Sequence, residues 1–279
     1  METEKNALLQ TLVDKINNDT LVLPTLPAIA MRVRETAQDP DVNLNKMADV
    51  IALDPSLSAR IIKLANSALY ARSVKAETVT QAVNRIGLVQ IKNNAMALAM
   101  EQLFLSSNEV IKKYIDQIWE RTVNVVAHAL PLFEDYKRTH RSSPMDADVM
   151  TLALLLHNIG VLPILTEAER MGSNAINSSF LNLAIQKLSG QIGGAITREW
   201  DFDEGVIQVA ESWRNLHVQN DAISYVDFVR LGAVAAGYMK SKKAVILQLS
   251  AKKSLLDSPE YLESGDYLQR VEEKRALFE

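Results

Sequence analysis

The stretch Leu156-His157-Asn158-Ile159-Gly160 holds the residues closest to a known chemistry. A His-Asp pair at the end of an apolar helix is a common way to hold divalent metal ions, because the imidazole gives a nitrogen ligand and the carboxylate a charged oxygen that can bridge two metals. Here the second residue is Asn158. An amide oxygen can still coordinate, but it brings no negative charge to offset a dication. The motif therefore poses a choice between a working metal enzyme and a protein that kept the shell and lost the chemistry, and the second reading is the expected one. Other chemistries have no foothold: there is no Gly-x-Ser-x-Gly, no P-loop and no Gly-x-Gly-x-x-Gly following a strand. The chain lacks cysteine, which removes disulfides, thiolate metal sites and cysteine nucleophiles together.

The elements that must position His157 read as helices. From Ala28-Ile29-Ala30-Met31 onward, apolar residues recur at spacings of three and four. Asp54-Pro55 is a helix start, with Leu57, Ile61, Leu64 and Ala65 on one face behind it. Thr78 reads as another cap, and Gly87 as a stop before a helix from Leu88 to about Leu105. Ser143-Pro144 is expected to open the helix that carries Val149, Leu152, Ala153 and Leu156 and delivers His157 at its end. With ten glycines and few alternating β-branched runs, little is left for a sheet, so the fold class is all-α. A composition change at Ser106-Ser107-Asn108 divides the chain into two helical subdomains, residues 1–107 and 108–279. Asn174 to Ser179, and parts of Ser241 to Asp266, read as surface loops. The 279 residues, 48% hydrophobic and 23% charged, suffice for cores of this size.

A net charge of −4 argues against nucleic acid, which calls for a basic balance or stripe. Lys240, Lys242, Lys243, Lys252 and Lys253 read as a solvated face. The terminus Met1-Glu2-Thr3-Glu4-Lys5 does not resemble a secretory signal, and runs such as Val149 to Leu156 fall short of the ~20 residues that span a bilayer. The expected setting is the cytoplasm, with no membrane contact.

Leu23-Pro24-Thr25-Leu26-Pro27, Asp39-Pro40-Asp41, Asp54-Pro55-Ser56-Leu57, Leu64-Ala65-Asn66-Ser67 and Ala82 to Gly87, in that order and spacing, resemble the HDOD (HD-related output domain) family. Trp119-Glu120-Arg121-Thr122, Leu155 to Gly160, and Gly193-Gly194 followed by Trp200 extend the likeness to roughly 20–240. The resemblance is to a stand-alone member, with no fused receiver or sensor, and it implies a multi-helical fold related to HD-type metal phosphohydrolases: 1–107 the N-terminal part of the module, 108–279 the HD-like part. It also implies a bacterial signalling or output protein without the parent activity, acting through protein–protein contacts or a small ligand in a vestigial cleft.

Carried over residue by residue, the first histidine of the HD pattern falls at Arg121 and the His-Asp pair at His157 and Asn158. A further histidine falls near Ser189 to Gln191, the later histidine pair near Trp213-Arg214, and the final aspartate after Ser224. Arg121 puts a permanent charge where a dication would sit. The expected cleft is Arg121, His157, Asn158, Gln191, Trp213 and Arg214, with no catalytic residue, metal or cofactor, and a phosphate- or nucleotide-containing ligand suits its charge. The alternative is a metal-dependent phosphohydrolase using His157, Asn158, His217 and Asp227. Against it, Ser224-Tyr225-Val226-Asp227 reads as a capping box, and His217 as an exposed loop residue. His128, about 10 Å along the helix from Arg121, reads as a core or boundary histidine. Asn66 reads as a helix-closing residue in the left-handed region, and Trp119, Trp200 and Trp213 as core anchors.

Overall fold

The computed structural model describes residues 7–67, 69–70, 72–106, 108–172, 178–218 and 221–278. In chain order the α-helices are α1 (Ala7–Asn17), α2 (Ala28–Gln38), α3 (Leu44–Ala52), α4 (Pro55–Ala65), α5 (Val79–Ile86), α6 (Leu88–Met100), α7 (Glu109–Thr139), α8 (Ala147–Leu156), α9 (Val161–Met171), α10 (Ser178–Glu199), α11 (Glu204–Ser212), α12 (Tyr225–Ala235), α13 (Lys243–Lys252) and α14 (Gly265–Arg275). No strand occurs among the described residues; the fold is all-α.

The helices form two compact units that interleave in sequence. One comprises Leu26–Leu103 and the residues from Gly265 onward; the other comprises the described residues up to Thr25 and Phe104–Ser264. This differs at both ends from a single cut at residue 107. α1 packs on α9 and α10 and buries Leu8 and Leu12 there, so apolar burial assigns it to the second half of the chain. Lys15 adds an ion pair to the buried Glu167 at 2.7 Å.

In the first unit the helix starts follow the capping residues. The Asp54 carboxylate accepts from the Leu57 N–H at 2.7 Å, and Thr78 caps α5. Gly87 sits at φ +89° between α5 and α6, where a side chain would be strained. Asn66 closes α4, but at φ −100° and not in the left-handed region. Its amide reaches across to both the Ala76 N–H and the Ala76 carbonyl. It can close the helix in the ordinary right-handed region because the side chain, rather than a backbone reversal, anchors the loop.

In the second unit α7 lies along α12, α9 packs on α10, α10 on α11, and α11 on α8. Glycines set these approaches. A Cβ at Gly232 would fall 2.6 Å from Ala129 Cβ, drawing α12 onto α7. One at Gly193 would fall 3.0 Å from the Ala210 carbonyl, between α10 and α11. α8 begins later than Ser143-Pro144: Asp146 is the N-cap, accepting from the Asp148 and Val149 N–H groups. The Asp146 N–H in turn donates to Tyr225 Oη at 2.7 Å. The stretch Ala147–Met171 has the length and apolarity of a membrane span, longer than the run seen in sequence alone, yet 83% of its most apolar window is buried inside the fold. It turns at 157–160 and forms the core. Ser241 to Asp266 is largely helical, through α13 and a 3₁₀ turn at Pro259–Glu263. Of the loop expected at Asn174 to Ser179, residues 174–177 lie outside the described residues.

Candidate functional site

His157 is the C-cap of α8 and is buried. Its Nδ1 lies 2.6 Å from the Leu154 carbonyl. A carbonyl only accepts, so Nδ1 carries the proton and Nε2 is left as an acceptor. Asn158 Nδ2 donates to that Nε2 at 2.9 Å. On the other side of the amide, Asn158 Oδ1 accepts from Arg214 Nη2 at 2.6 Å. Arginine only donates, so both neighbours independently require the same amide orientation. The chain Leu154 carbonyl, His157, Asn158, Arg214 is thereby closed, with every bond directed. Trp213 packs edge-on against the His157 ring at 4.8 Å, and the Arg214 guanidinium lies over the Trp213 ring at 4.3 Å.

These side chains border an open cleft of about 400 Å³, lined by Arg121, Val125, His157, Asn158, Gln186, Trp213, Arg214, Tyr238, Met239, Ser241 and Lys242. Arg121 comes from α7 and stands over the Tyr238 ring at 5.7 Å. Tyr238 Oη accepts from Asn124 Nδ2 at 2.8 Å. Burial pushes the His157 imidazole down to about 3; the Leu154 bond opposes this, and the Arg214 charge adds to it. Burial also lowers Arg214, to about 10, with the Arg121 charge contributing.

Of the residues expected in the cleft, Arg121, His157, Asn158, Trp213 and Arg214 meet there. Gln191 does not. It is exposed on α10, and Gln186, five residues earlier, lines the cleft instead. Five residues turn a helix by roughly 140°, to a different face. The alternative ligand set is not gathered either. Asp227 caps α12, accepting from the Ser224 N–H at 2.8 Å, and bonds Lys253 Nζ at 2.8 Å. It borders a different cleft, with Asp221, Arg230 and Lys252. His217 is exposed, its N–H donating to Asn215 Oδ1. Among the described residues no three His, Cys, Asp or Glu side chains are grouped to hold a metal. The atoms at the His157 end do not fit a dication as arranged: the imidazole lone pair faces an amide N–H, and the amide oxygen faces a guanidinium. His128 is buried on α7.

Sequence reasoning missed the device that places Arg214. Arg230, buried on α12, donates through Nε to the Trp213 carbonyl and through Nη2 to those of Ser212, Asn215 and Val218. It gathers the turn after α11 that bears Trp213 and Arg214. Nothing in the local pattern around Arg230 marks it, since its partners lie at least twelve residues earlier. Gly160 belongs to the site for a steric reason. Its φ is −65°, and a Cβ there would fall 1.9 Å from the Ser189 carbonyl and 2.5 Å from the Gly193 nitrogen.

The HDOD domain pattern matches residues 23–215, well over half of the chain. The chain belongs to the HDOD domain family. A crystal structure from Shewanella amazonensis SB2B, of a protein named provisionally as a metal-dependent phosphohydrolase, is 41% identical to this HDOD protein. It covers 99% of this chain and 100% of that one, with a TM-score of 0.85. A signal transduction protein, also provisionally named, from Marinobacter aquaeolei VT8 is 20% identical, covering 99% and 64%, with a TM-score of 0.63. An HDOD domain protein of unknown function from Geobacter sulfurreducens is 20% identical, covering 98% and 89%, with a TM-score of 0.58. These last two share the fold. An uncharacterised protein of Treponema pallidum is 24% identical over 226 residues; the HDOD chain spans only 41% of that relative's length.

Proposed function

We propose that this HDOD protein is a non-catalytic regulatory module of bacterial signal transduction, working in the cytoplasm. Its output would be delivered through protein–protein contacts, or through a phosphate- or nucleotide-containing ligand held in a vestigial HD cleft. The observation that carries the reading is the closed chain from His157 through Asn158 to Arg214. It commits to hydrogen bonding the lone pairs a metal would need, and sets a guanidinium where positive charge opposes a dication.

The competing reading is a metal-dependent phosphohydrolase, favoured by the provisional name of the 41% identical Shewanella protein. The two separate in one experiment. The purified chain is incubated with Mn²⁺, Fe²⁺, Mg²⁺ or Zn²⁺, then assayed for metal content and for hydrolysis of phosphomonoesters and phosphodiesters. The regulatory reading expects neither stoichiometric metal nor turnover. Turnover that disappears in His157→Ala would overturn it.

A further inference from the structure

The cleft around His157 is charged on one side of the balance only. Arg121, Arg214 and Lys242 line it, and among the described residues no Asp or Glu does. Arg214 shows the imbalance within a single side chain. Its Nη2 is bonded to Asn158 Oδ1, but its Nε is buried and has no acceptor among the described residues. A buried donor without an acceptor costs about 1–3 kcal/mol, and clustered cations with no anion repel. The repulsion is relieved by one kind of occupant, an oxyanion with several acceptor oxygens. The depressed pKa of Arg214, caused by burial and by Arg121, agrees with this electrostatic picture.

The aromatic rings narrow the choice between a phosphate and a nucleobase. Trp213 is buried, with Arg214 over its face and His157 packed against it. Tyr238 carries Arg121. Trp213 is thus closed to a base, and Arg121 covers one face of Tyr238.

We propose that this cleft binds a phosphate group, free or as the monoester end of a small molecule, through Arg214, Arg121 and Lys242, without recognising a nucleobase. The proposal rests on the non-catalytic reading of the same cleft. Arg214 is half-buried and its side chain already lines the cleft, so it reaches an occupant while its bond to Asn158 Oδ1 holds.

The test is calorimetric titration of the full chain at low ionic strength with inorganic phosphate, glucose 6-phosphate, AMP and adenosine, each sample then checked for hydrolysis. Glucose 6-phosphate and AMP are expected to bind comparably, and adenosine not at all. Binding of inorganic phosphate as tight as that of the esters identifies the free ion as the occupant; much weaker binding identifies a monoester. Arg121→Ala with Lys242→Ala, both exposed positions, should weaken binding at least about tenfold while the helical circular dichroism and melting temperature hold. Failure of every phosphate compound to bind overturns the proposal and leaves the non-catalytic reading intact. So does adenosine binding, or unchanged affinity in the double variant. Hydrolysis of the esters overturns the underlying reading instead.

Discussion

Arg214 Nη2 and Asn158 Oδ1 lie 2.6 Å apart, and this one bond makes the residue at 158 do two jobs. Its oxygen must accept from a guanidinium while its nitrogen donates to His157 Nε2 at 2.9 Å. An amide does both; a carboxylate does only the first.

Asn158→Asp should therefore move the proton on His157. The carboxylate still accepts from Arg214 but can no longer donate to Nε2, so it favours an imidazolium whose Nε2–H points at it. The His157 pKa is expected to rise from about 3, read by NMR titration of the histidine ring nitrogens. An unchanged pKa would sink the assignment of this chain. Metal content should stay far below one equivalent, because Arg121 and Arg214 remain.

The pH dependence of stability follows from the same histidine. Its pKa falls from about 6.5 in the unfolded chain to about 3 in the fold. Between those values the unfolded state binds a proton that the native state does not, so stability drops as pH falls through this window. The slope is up to about 1.4 kcal/mol per pH unit, and the contribution is fully present above pH ~6.5. Urea unfolding of the wild type and His157→Asn from pH 7 to pH 4 should show a shallower decline in the variant. Parallel curves would assign the acid sensitivity to other groups.

Arg230→Met should damage the site without touching it. The substitution leaves the carbonyls of Ser212, Trp213, Asn215 and Val218 without the donors that gather them. A loss of about 3 kcal/mol or more is expected, with a melting temperature lower by about 10 °C. Trp213 fluorescence should shift to the red as the turn loosens, measured against a Trp213→Phe background. A neutral substitution would show that the turn holds itself.

Two glycines should respond differently for different reasons. Gly160→Ala forces a Cβ into the Ser189 carbonyl and Gly193 backbone and should destabilise by about 3 kcal/mol. Gly172→Ala meets nothing within 4 Å but sits at φ +88°, ψ −176°, a region essentially reserved for glycine, at a backbone cost of about 2 kcal/mol. Chemical denaturation of both variants checks the order. Equal effects would mean that α9 and α10 shift freely to admit the methyl group.

Local pattern was enough for the helices and their starts. Asp54, Thr78 and Gly87 act within a few residues of chain, through caps and a positive φ, so their roles are written where they stand. The capping role of Asp227 was legible for the same reason. The start of α8 was misplaced by three residues because Asp146 and Ser143 are both competent caps, and the Tyr225 hydroxyl behind Asp146 is invisible in the local sequence.

The sequence by itself determined an all-helical chain of the HDOD family and the chemistry available at 157 and 158, because side-chain type and helical period are local properties. Only the tertiary structure decided which residues face His157. It brought in Arg214 by way of Arg230, chose Gln186 over Gln191, sent Asp227 to another cleft, and assigned α1 to the unit built from the second half of the chain. The physical reason is common to all four. Each depends on which helix face is buried and against what partner, and that is set by close packing and by hydrogen bonds between residues far apart in the chain.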